Sequence, residues 1–163
     1  MKKSKKRLVR EVFNAAVKEL KRKKQVTPKL YIFGEDGKKY TCSPTYRDPF
    51  EKMYETAVVR EMCERVNATC VISVCEAYVA DLNSNVWPSQ NPNHKEAVSI
   101  YYEDVSENYL MLRKYHRTRH DKIVFTGKTK KLGSIEGPLA NYLQRPEDNS
   151  PLAVSTKPTV RRL

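Results

Sequence analysis

Glycine and histidine, on which many recognisable catalytic and nucleotide-binding motifs depend, are scarce in this sequence. Among its 163 residues there are five glycines and three histidines. No dinucleotide-binding glycine pattern, P-loop, His-Glu-x-x-His motif or Ser/His/Asp order occurs. We therefore expect no glycine-rich phosphate loop, no cofactor and no enzymatic activity.

Long apolar runs are also missing. No run approaches the roughly 18–20 residues that a helix needs to cross a bilayer. The basic N-terminus is not followed by an apolar segment of the kind that secretory signals contain. We expect a protein that does not enter a membrane and that is located in the cytoplasm.

The four cysteines lack the close pairing that metal sites and redox motifs use. Cys42, Cys63, Cys70 and Cys75 form no Cys-x-x-Cys pair, and the histidines are distant in sequence. The pattern predicts four reduced thiols in or near the core and no metal site.

Positive charge is concentrated at the two ends of the chain. Residues 1–24 contain eleven Lys/Arg against two acids, and the last eight residues add three more bases. Residues 25–155 are balanced, with 17 bases and 17 acids, so the ends account for the whole formal net charge of +12. Such asymmetry indicates a polyanionic partner.

A second basic segment lies inside the balanced region. Residues 113–131 hold eight bases against Asp121 alone, with Tyr115 and Phe125 between them. Bases interleaved with aromatic rings are typical of surfaces that bind RNA or single strands. Alternatively, this segment pairs with the acidic residues 35–107, or its aromatic rings belong to the core. The sequence leaves these alternatives open.

The apolar spacing predicts two main helices and about five to six strands. Residues 7–24 show one apolar stripe of helical period, and Asp48-Pro49 starts a second helix with Phe50, Met53, Tyr54, Ala57, Val58, Met62 and Val66 as its buried face. Residues 29–33 and 38–42 read as a hairpin. Residues 69–80, 96–102, 109–116 and 122–126 read as further strands. The fold class is α+β, with a mainly antiparallel sheet.

The chain divides into three parts by composition. Residues 1–25 form a basic amphipathic helix, residues 26–145 an α+β body, and residues 146–163 a flexible basic tail. Leu139, Tyr142 and Leu143 are expected to form one docked turn. The sole tryptophan, Trp87, lies in a loop rich in Asn, Ser and Pro, either as an interaction hot spot or as a lid on the core.

Glu76 is a charged residue within a strand that is otherwise apolar on both faces. If the next strand folds back beside it, His94 and Glu96 come close, and such a cluster would permit acid–base or metal chemistry. The simpler alternative is that Glu76 is held by an arginine or a backbone N–H, and we favour it.

Residues 29–103 follow a recognisable order. A hairpin with Gly34-Glu35-Asp36-Gly37 leads to a helix, a strand ending Cys75-Glu76-Ala77-Tyr78 and a loop from Pro88 to Glu96. This order resembles that of a loose family of small uncharacterised proteins of tailed phages and bacterial genomes. The resemblance implies an α+β fold and a phage or prophage setting, and it implies no activity. Both basic segments lie outside it.

We expect a small non-enzymatic accessory protein that binds DNA or RNA through phosphates with low sequence specificity. The alternative is an adaptor or minor structural subunit that binds a host or phage protein through its N-terminal helix. The residues expected to contact nucleic acid are Lys2, Lys3, Lys5, Lys6, Arg7, Arg10, Lys18, Lys21, Arg22, Lys23, Lys24, Arg113, Lys114, Tyr115, Arg117, Arg119, Lys122, Lys128, Lys130 and Lys131.

Overall fold

Two helices and seven strands follow one another in the part of the chain that the structure describes. The computed structural model describes residues 4–45, 48–80, 86, 90–133 and 142–143. In chain order the elements are α1 (Lys5–Lys23), β1 (Lys29–Gly34), β2 (Lys39–Cys42), α2 (Pro49–Arg65), β3 (Ala68–Val79), β4 (Lys95–Asp104), β5 (Asn108–Arg117), β6 (Ile123–Phe125) and β7 (Lys130–Gly133). The α+β class is confirmed, with one strand more than the upper expectation. Lys2, Lys3, Trp87, Leu139 and the tail 146–163 lie outside the described residues.

All strand pairs are antiparallel and form one sheet. The strand order is β2-β1-β3-β4-β5-β6, and β7 also pairs with β5. β6 pairs with residues 115–117 of β5 and β7 with residues 109–112. The two short strands therefore continue the same edge of the sheet, on either side of residues 126–129.

The central strands are covered on both faces, as their apolar sequence predicts. Ile72 and Ile100 belong to a core cluster on the α1 side, while Val71 and Ala97 belong to a second cluster on the α2 side. All four are fully buried. The sheet is therefore the middle layer between two helices.

Helix α1 packs on the sheet through its apolar stripe. Its N-cap is Ser4, whose hydroxyl accepts from the Arg7 N–H, and its C-cap is Lys24 in the left-handed region. The stripe that the sequence predicts is buried against β3 and β4 through Val9, Val12, Ala16 and Leu20. The basic helix is thus part of the core and not a detached segment.

Helix α2 starts where the sequence predicts, but most of its predicted buried face is exposed. The Asp48 carboxylate accepts from the backbone N–H groups of Phe50 and Glu51 at 2.8 and 2.9 Å. The residues that α2 buries are Thr56, Val59 and Cys63, whereas Phe50, Met53, Tyr54, Ala57 and Val58 are exposed. Of the predicted face, only Met62 and Val66 pack against the core, and both are partly buried. Apolar residues occur on both sides of this helix, so their period does not select one side. Neither helix of the described residues combines the length and the apolar character that a membrane crossing requires.

A fully buried carboxylate holds the last described residues. Glu103 on β4 accepts from the Tyr101 hydroxyl at 2.8 Å and from the backbone N–H groups of Tyr142 and Leu143 at 2.8 and 3.2 Å. Tyr142 and Leu143 are buried in the α2-side cluster. These two residues are docked as the sequence predicts, and Glu103 is the group that ties them down.

The four cysteines are free thiols, as expected. Burial raises the pKa of Cys63 and Cys70 to about 12. Both groups are therefore protonated at neutral pH, and they are packing residues and not nucleophiles.

Glu19 anchors the end of α1 to β1. Its carboxylate accepts from the Thr27 hydroxyl at 2.8 Å and pairs with Lys29 and Lys23 at 3.1 and 3.3 Å. Burial opposes ionisation, but these hydrogen bonds outweigh it and lower the pKa of Glu19 from 4.5 to about 2.

Glu19→Gln is expected to destabilise the protein at pH 7 by about 1–2 kcal/mol. A lowered folded-state pKa gives stability that is present above pH 4.5 and is lost as the pH falls towards 2. Urea unfolding of both proteins across this range measures the difference, which should disappear at the acidic end. Glu11→Gln, at an exposed ion pair with Arg7, is the control and should change little. A constant difference at all pH values would contradict the assignment.

Candidate nucleic-acid interface

Three side chains join α1 to the edge of the sheet. The Phe13 ring of α1 lies 6.3 Å from the Phe125 ring of β6. The guanidinium of Arg113 on β5 lies 5.9 Å from the Phe13 ring centroid and 5.1 Å from that of Phe125. Arg113 is thus held between two aromatic rings. We call the contact of Phe13, Arg113 and Phe125 the seam.

The flank of α1 next to the seam is basic. Lys6, Arg10, Phe13, Val17 and Lys21 are spaced by three and four residues, which places them along one flank of the helix. Because Phe13 contacts Phe125, this flank runs along the β5–β6 edge. The two basic segments therefore meet, which the sequence alone does not reveal. We call Lys6, Arg10, Lys21 and Arg113 the basic face.

Many bases have no acidic partner within the described part of the chain. Arg113 lies in the seam, and its Nε is enclosed with no hydrogen-bond partner. The exposed bases Arg119, Lys122 and Lys128 follow β5 and β6 in turns. The residues named from the sequence that make no ion pair with a described carboxylate are Lys6, Arg10, Lys18, Lys21, Arg22, Lys24, Arg113, Lys114, Arg119, Lys122, Lys128 and Lys130. No described carboxylate therefore neutralises their charges.

Other predicted site residues are engaged within the protein. Lys5 pairs with Asp104, Arg7 with Glu11, and Lys23 with Glu19. Lys131 lies over the Tyr109 ring, 3.8 Å from its centroid, and is 3.9 Å from Glu107. These four side chains contribute to the positive electrostatic potential of the surface. Each would lose a contact within the protein if it bound a phosphate.

Asp104 holds the start of α1 at the β4–β5 turn. Burial raises the free energy of its charged form, but hydrogen bonds from Lys5, Ser106 and Tyr102 outweigh burial and hold the pKa of Asp104 well below its usual range. The Tyr102 hydroxyl donates at 2.7 Å and the Ser106 N–H at 2.8 Å. The exposed Lys5 thereby serves as a structural contact.

Arg117 closes the other end of α1. Its Nε donates to Glu96 at 3.1 Å, one terminal nitrogen lies 3.3 Å from Glu76, and the other donates to the Lys24 carbonyl at 2.7 Å. All three guanidinium nitrogens of Arg117 are therefore engaged within the protein, and Arg117 is not part of the basic face.

Tyr115 lies beneath this ion-pair cluster. It is 2% exposed and its hydroxyl donates to Glu76. Burial, and then the hydrogen bond to Glu76, raise the pKa of Tyr115 far above its usual range. A ring in this position cannot stack on a base, so Tyr115 is removed from the interface. Phe125 is half-buried against Arg113 and Phe13 and is equally engaged.

The structure does not bring Glu76, His94 and Glu96 together as a catalytic or metal cluster. Glu76 and Glu96 both bind Arg117, as the simpler alternative predicts. The His94 ring contacts the Asn91 carbonyl at 2.6 Å and packs edge-on against Tyr78. No group of three His, Cys, Asp or Glu side chains in the described ranges could hold a metal ion. A cavity of about 270 Å³ beside this cluster is walled by the same engaged side chains.

Comparison with known proteins identifies no relative of this chain. No protein-family model, no curated protein and no solved structure matches this chain.

Proposed function

We propose that this protein binds nucleic acid through the phosphate backbone, using the basic face along the seam. The observation that carries the proposal is the position of Arg113 between Phe13 and Phe125. This contact joins two basic segments that are about a hundred residues apart in sequence into one surface. Multiple bases on one surface bind a polyanion by displacing its condensed counterions.

Arg113 is suited to a phosphate because it is already oriented. Two rings restrict its side chain, so less conformational entropy is lost when it binds. A guanidinium presents a planar row of N–H donors that matches the oxygens of a phosphate. In contrast to Arg117, it has no carboxylate partner among the described residues.

The ligand that fits this surface is the sugar–phosphate backbone of a nucleic acid, and not the exposed nucleobases of a single strand. Among the described residues, the aromatic rings at the seam are Phe13 and Phe125, with Tyr115 beside them. Tyr115 is buried, and Phe13 and Phe125 are partly buried against the core and flank Arg113, so none of the three is a freely exposed platform for base stacking. We therefore favour duplex DNA or RNA over single strands, with low sequence specificity.

The biological setting is a separate part of the proposal. The resemblance of residues 29–103 to small tailed-phage proteins supports a phage or prophage accessory protein that acts in the host cytoplasm. The engagement of Glu76 and Glu96 by Arg117 supports a role without catalysis.

The burial of the apolar stripe of α1 disfavours an adaptor that binds a partner protein through its N-terminal helix. It requires the stripe from Val9 to Leu20 to enter a groove of a partner protein. That stripe is buried against β3 and β4, so α1 would have to leave the core first. An acidic protein surface in contact with the basic face remains the competing ligand, and the next experiment distinguishes it.

Reversing the charge of Lys6, Arg10 and Lys21 to Glu is expected to lower affinity for a short DNA duplex by about 100-fold or more at low salt. The slope of log affinity against log salt should fall by roughly 2–3, because each phosphate contact contributes about 0.9. Fluorescence anisotropy with labelled duplex and single strands at several salt concentrations measures both quantities.

The matched control reverses three exposed lysines and changes the net charge equally: Lys38 and Lys39 lie at β2, the opposite edge of the sheet, and Lys95 begins β4. It should retain most of the affinity. Equal losses in both variants would show that only net charge matters, and the basic face would be rejected. Absence of binding by the unaltered protein at low salt would reject the proposed function.

A further inference from the structure

Helix α2 presents an apolar stripe on the side that faces away from the sheet. Phe50, Met53, Tyr54 and Val58 are 84%, 64%, 72% and 38% exposed, and Ala57 between them is exposed as well. Their spacing of three and four residues places them on one face of the helix. We call these five residues the outer stripe.

The outer stripe is not needed to hold α2 on the protein. The opposite face of the helix already packs on the sheet through Thr56, Val59 and Cys63. A helix with apolar residues on both faces is normally covered on both. Two aromatic rings that point into water therefore indicate a second contact.

The distribution of charge over the two sides of the sheet favours one partner for the outer stripe. Residues 48–65 hold five acids and three bases, although the whole chain carries +12. The basic face lies across the sheet, on the α1 side. Approach of two copies through α2 therefore keeps their basic faces apart and avoids the repulsion between them.

We propose that the outer stripe is the interface of a homodimer, in which α2 of a second copy packs antiparallel on α2. The stripe runs from Phe50 to Val58 and is centred on Tyr54, so a twofold axis at Tyr54 sets Phe50 of one copy against Val58 of the other.

The area of the stripe fits a reversible dimer. Two mostly exposed aromatic side chains with three smaller apolar ones offer on the order of 500 Å² per copy, or about 1,000 Å² for the pair. This value is at the lower limit for specific interfaces and below that of obligate dimers. The dimer presents its two basic faces outwards, so it would hold two nucleic-acid segments if the proposed function is correct.

Sedimentation equilibrium of the full chain over a wide concentration range tests the proposal. The protein should associate to a dimer, and Phe50→Glu should raise the dimer dissociation constant at least about tenfold. Val105→Glu is the matched control, because Val105 is 73% exposed on the β4–β5 turn and the charge change is the same. A monomer at all concentrations, or a dimer that both variants weaken equally, overturns the proposal.

A cysteine at the twofold axis gives an independent test. Under mild oxidation, Tyr54→Cys should form a disulfide-linked dimer, because the two copies of residue 54 meet at the axis. Val105→Cys should not. Equal cross-linking of the two variants would overturn the antiparallel α2 arrangement.

Salt separates this proposal from the nucleic-acid proposal. Apolar contact between like-charged copies should persist or strengthen as salt rises, because salt screens their repulsion. Binding of a duplex should weaken. Loss of the dimer at high salt would overturn the apolar interface and leave the proposed function standing. If the protein forms dimers but does not bind nucleic acid, the proposed function is overturned and the dimer interface stands.

Discussion

Deletion of residues 1–25 is expected to abolish cooperative folding of the remaining chain. Helix α1 covers the centre of one face of the sheet, and its removal exposes Ile72, Val74, Val98 and Ile100, which are at most 2% exposed in the intact protein. Exposing a core layer of this size costs more than the few kcal/mol by which domains are stable. Circular dichroism and thermal unfolding of the shortened chain measure the effect.

The full-length protein with Lys6, Arg10 and Lys21 replaced by Glu is the control. These side chains lie on the flank of α1 outside its buried stripe, so the variant should unfold with the cooperativity of the unaltered protein. Together the two proteins separate the charge of α1 from its packing. A shortened chain that melts cooperatively near the temperature of the intact protein would show that α1 is dispensable for the core.

Glu103→Ala is expected to lower the free energy of unfolding by about 3–4 kcal/mol. The carboxylate is fully buried and accepts three hydrogen bonds, so its removal leaves a cavity and two backbone N–H groups without their acceptor. Glu103→Gln should also destabilise, by about 1–3 kcal/mol, because one amide N–H₂ then faces a donor. Urea unfolding gives both values.

Two controls show whether the loss belongs to this site. Tyr101→Phe removes one of the three donors and should cost about 1 kcal/mol. Glu107→Ala, at a half-exposed turn position, should cost less. If Glu103→Ala were no worse than Glu107→Ala, the carboxylate would not be what holds Tyr142 and Leu143.

Local patterns in the sequence predict most of the secondary structure. Residues 7–24, 69–80 and 109–116 were expected as a helix and two strands, and the structure has them as α1, β3 and β5 with shifts of at most two residues. Each has one clear period or a continuous apolar run. β7 was not expected, because Lys130-Lys131-Leu132-Gly133 has the composition of a solvated loop and becomes a strand only by pairing with β5.

The buried face of α2 and the basic face could not be predicted for a different reason. Both depend on which distant residues approach one another. Phe13 and Phe125 are 112 positions apart, and Arg113 becomes distinct from Arg117 only because one lies between rings and the other between carboxylates. In sequence, both arginines lie within two residues of Tyr115 and of another base, so nothing in their neighbours separates them.

The position of α1 also determines the order in which the chain can fold as it is synthesised. Lys5 reaches Ser106, which is made 101 residues later. Until β3 and β4 have formed, the apolar stripe of α1 has no partner, and contacts of this sequence separation make folding slow. The positive charge on the flank of α1 favours solvation of this segment before the sheet has formed. We therefore expect the lysines and arginines that we propose as ligands of a polyanion also to limit aggregation of the nascent chain.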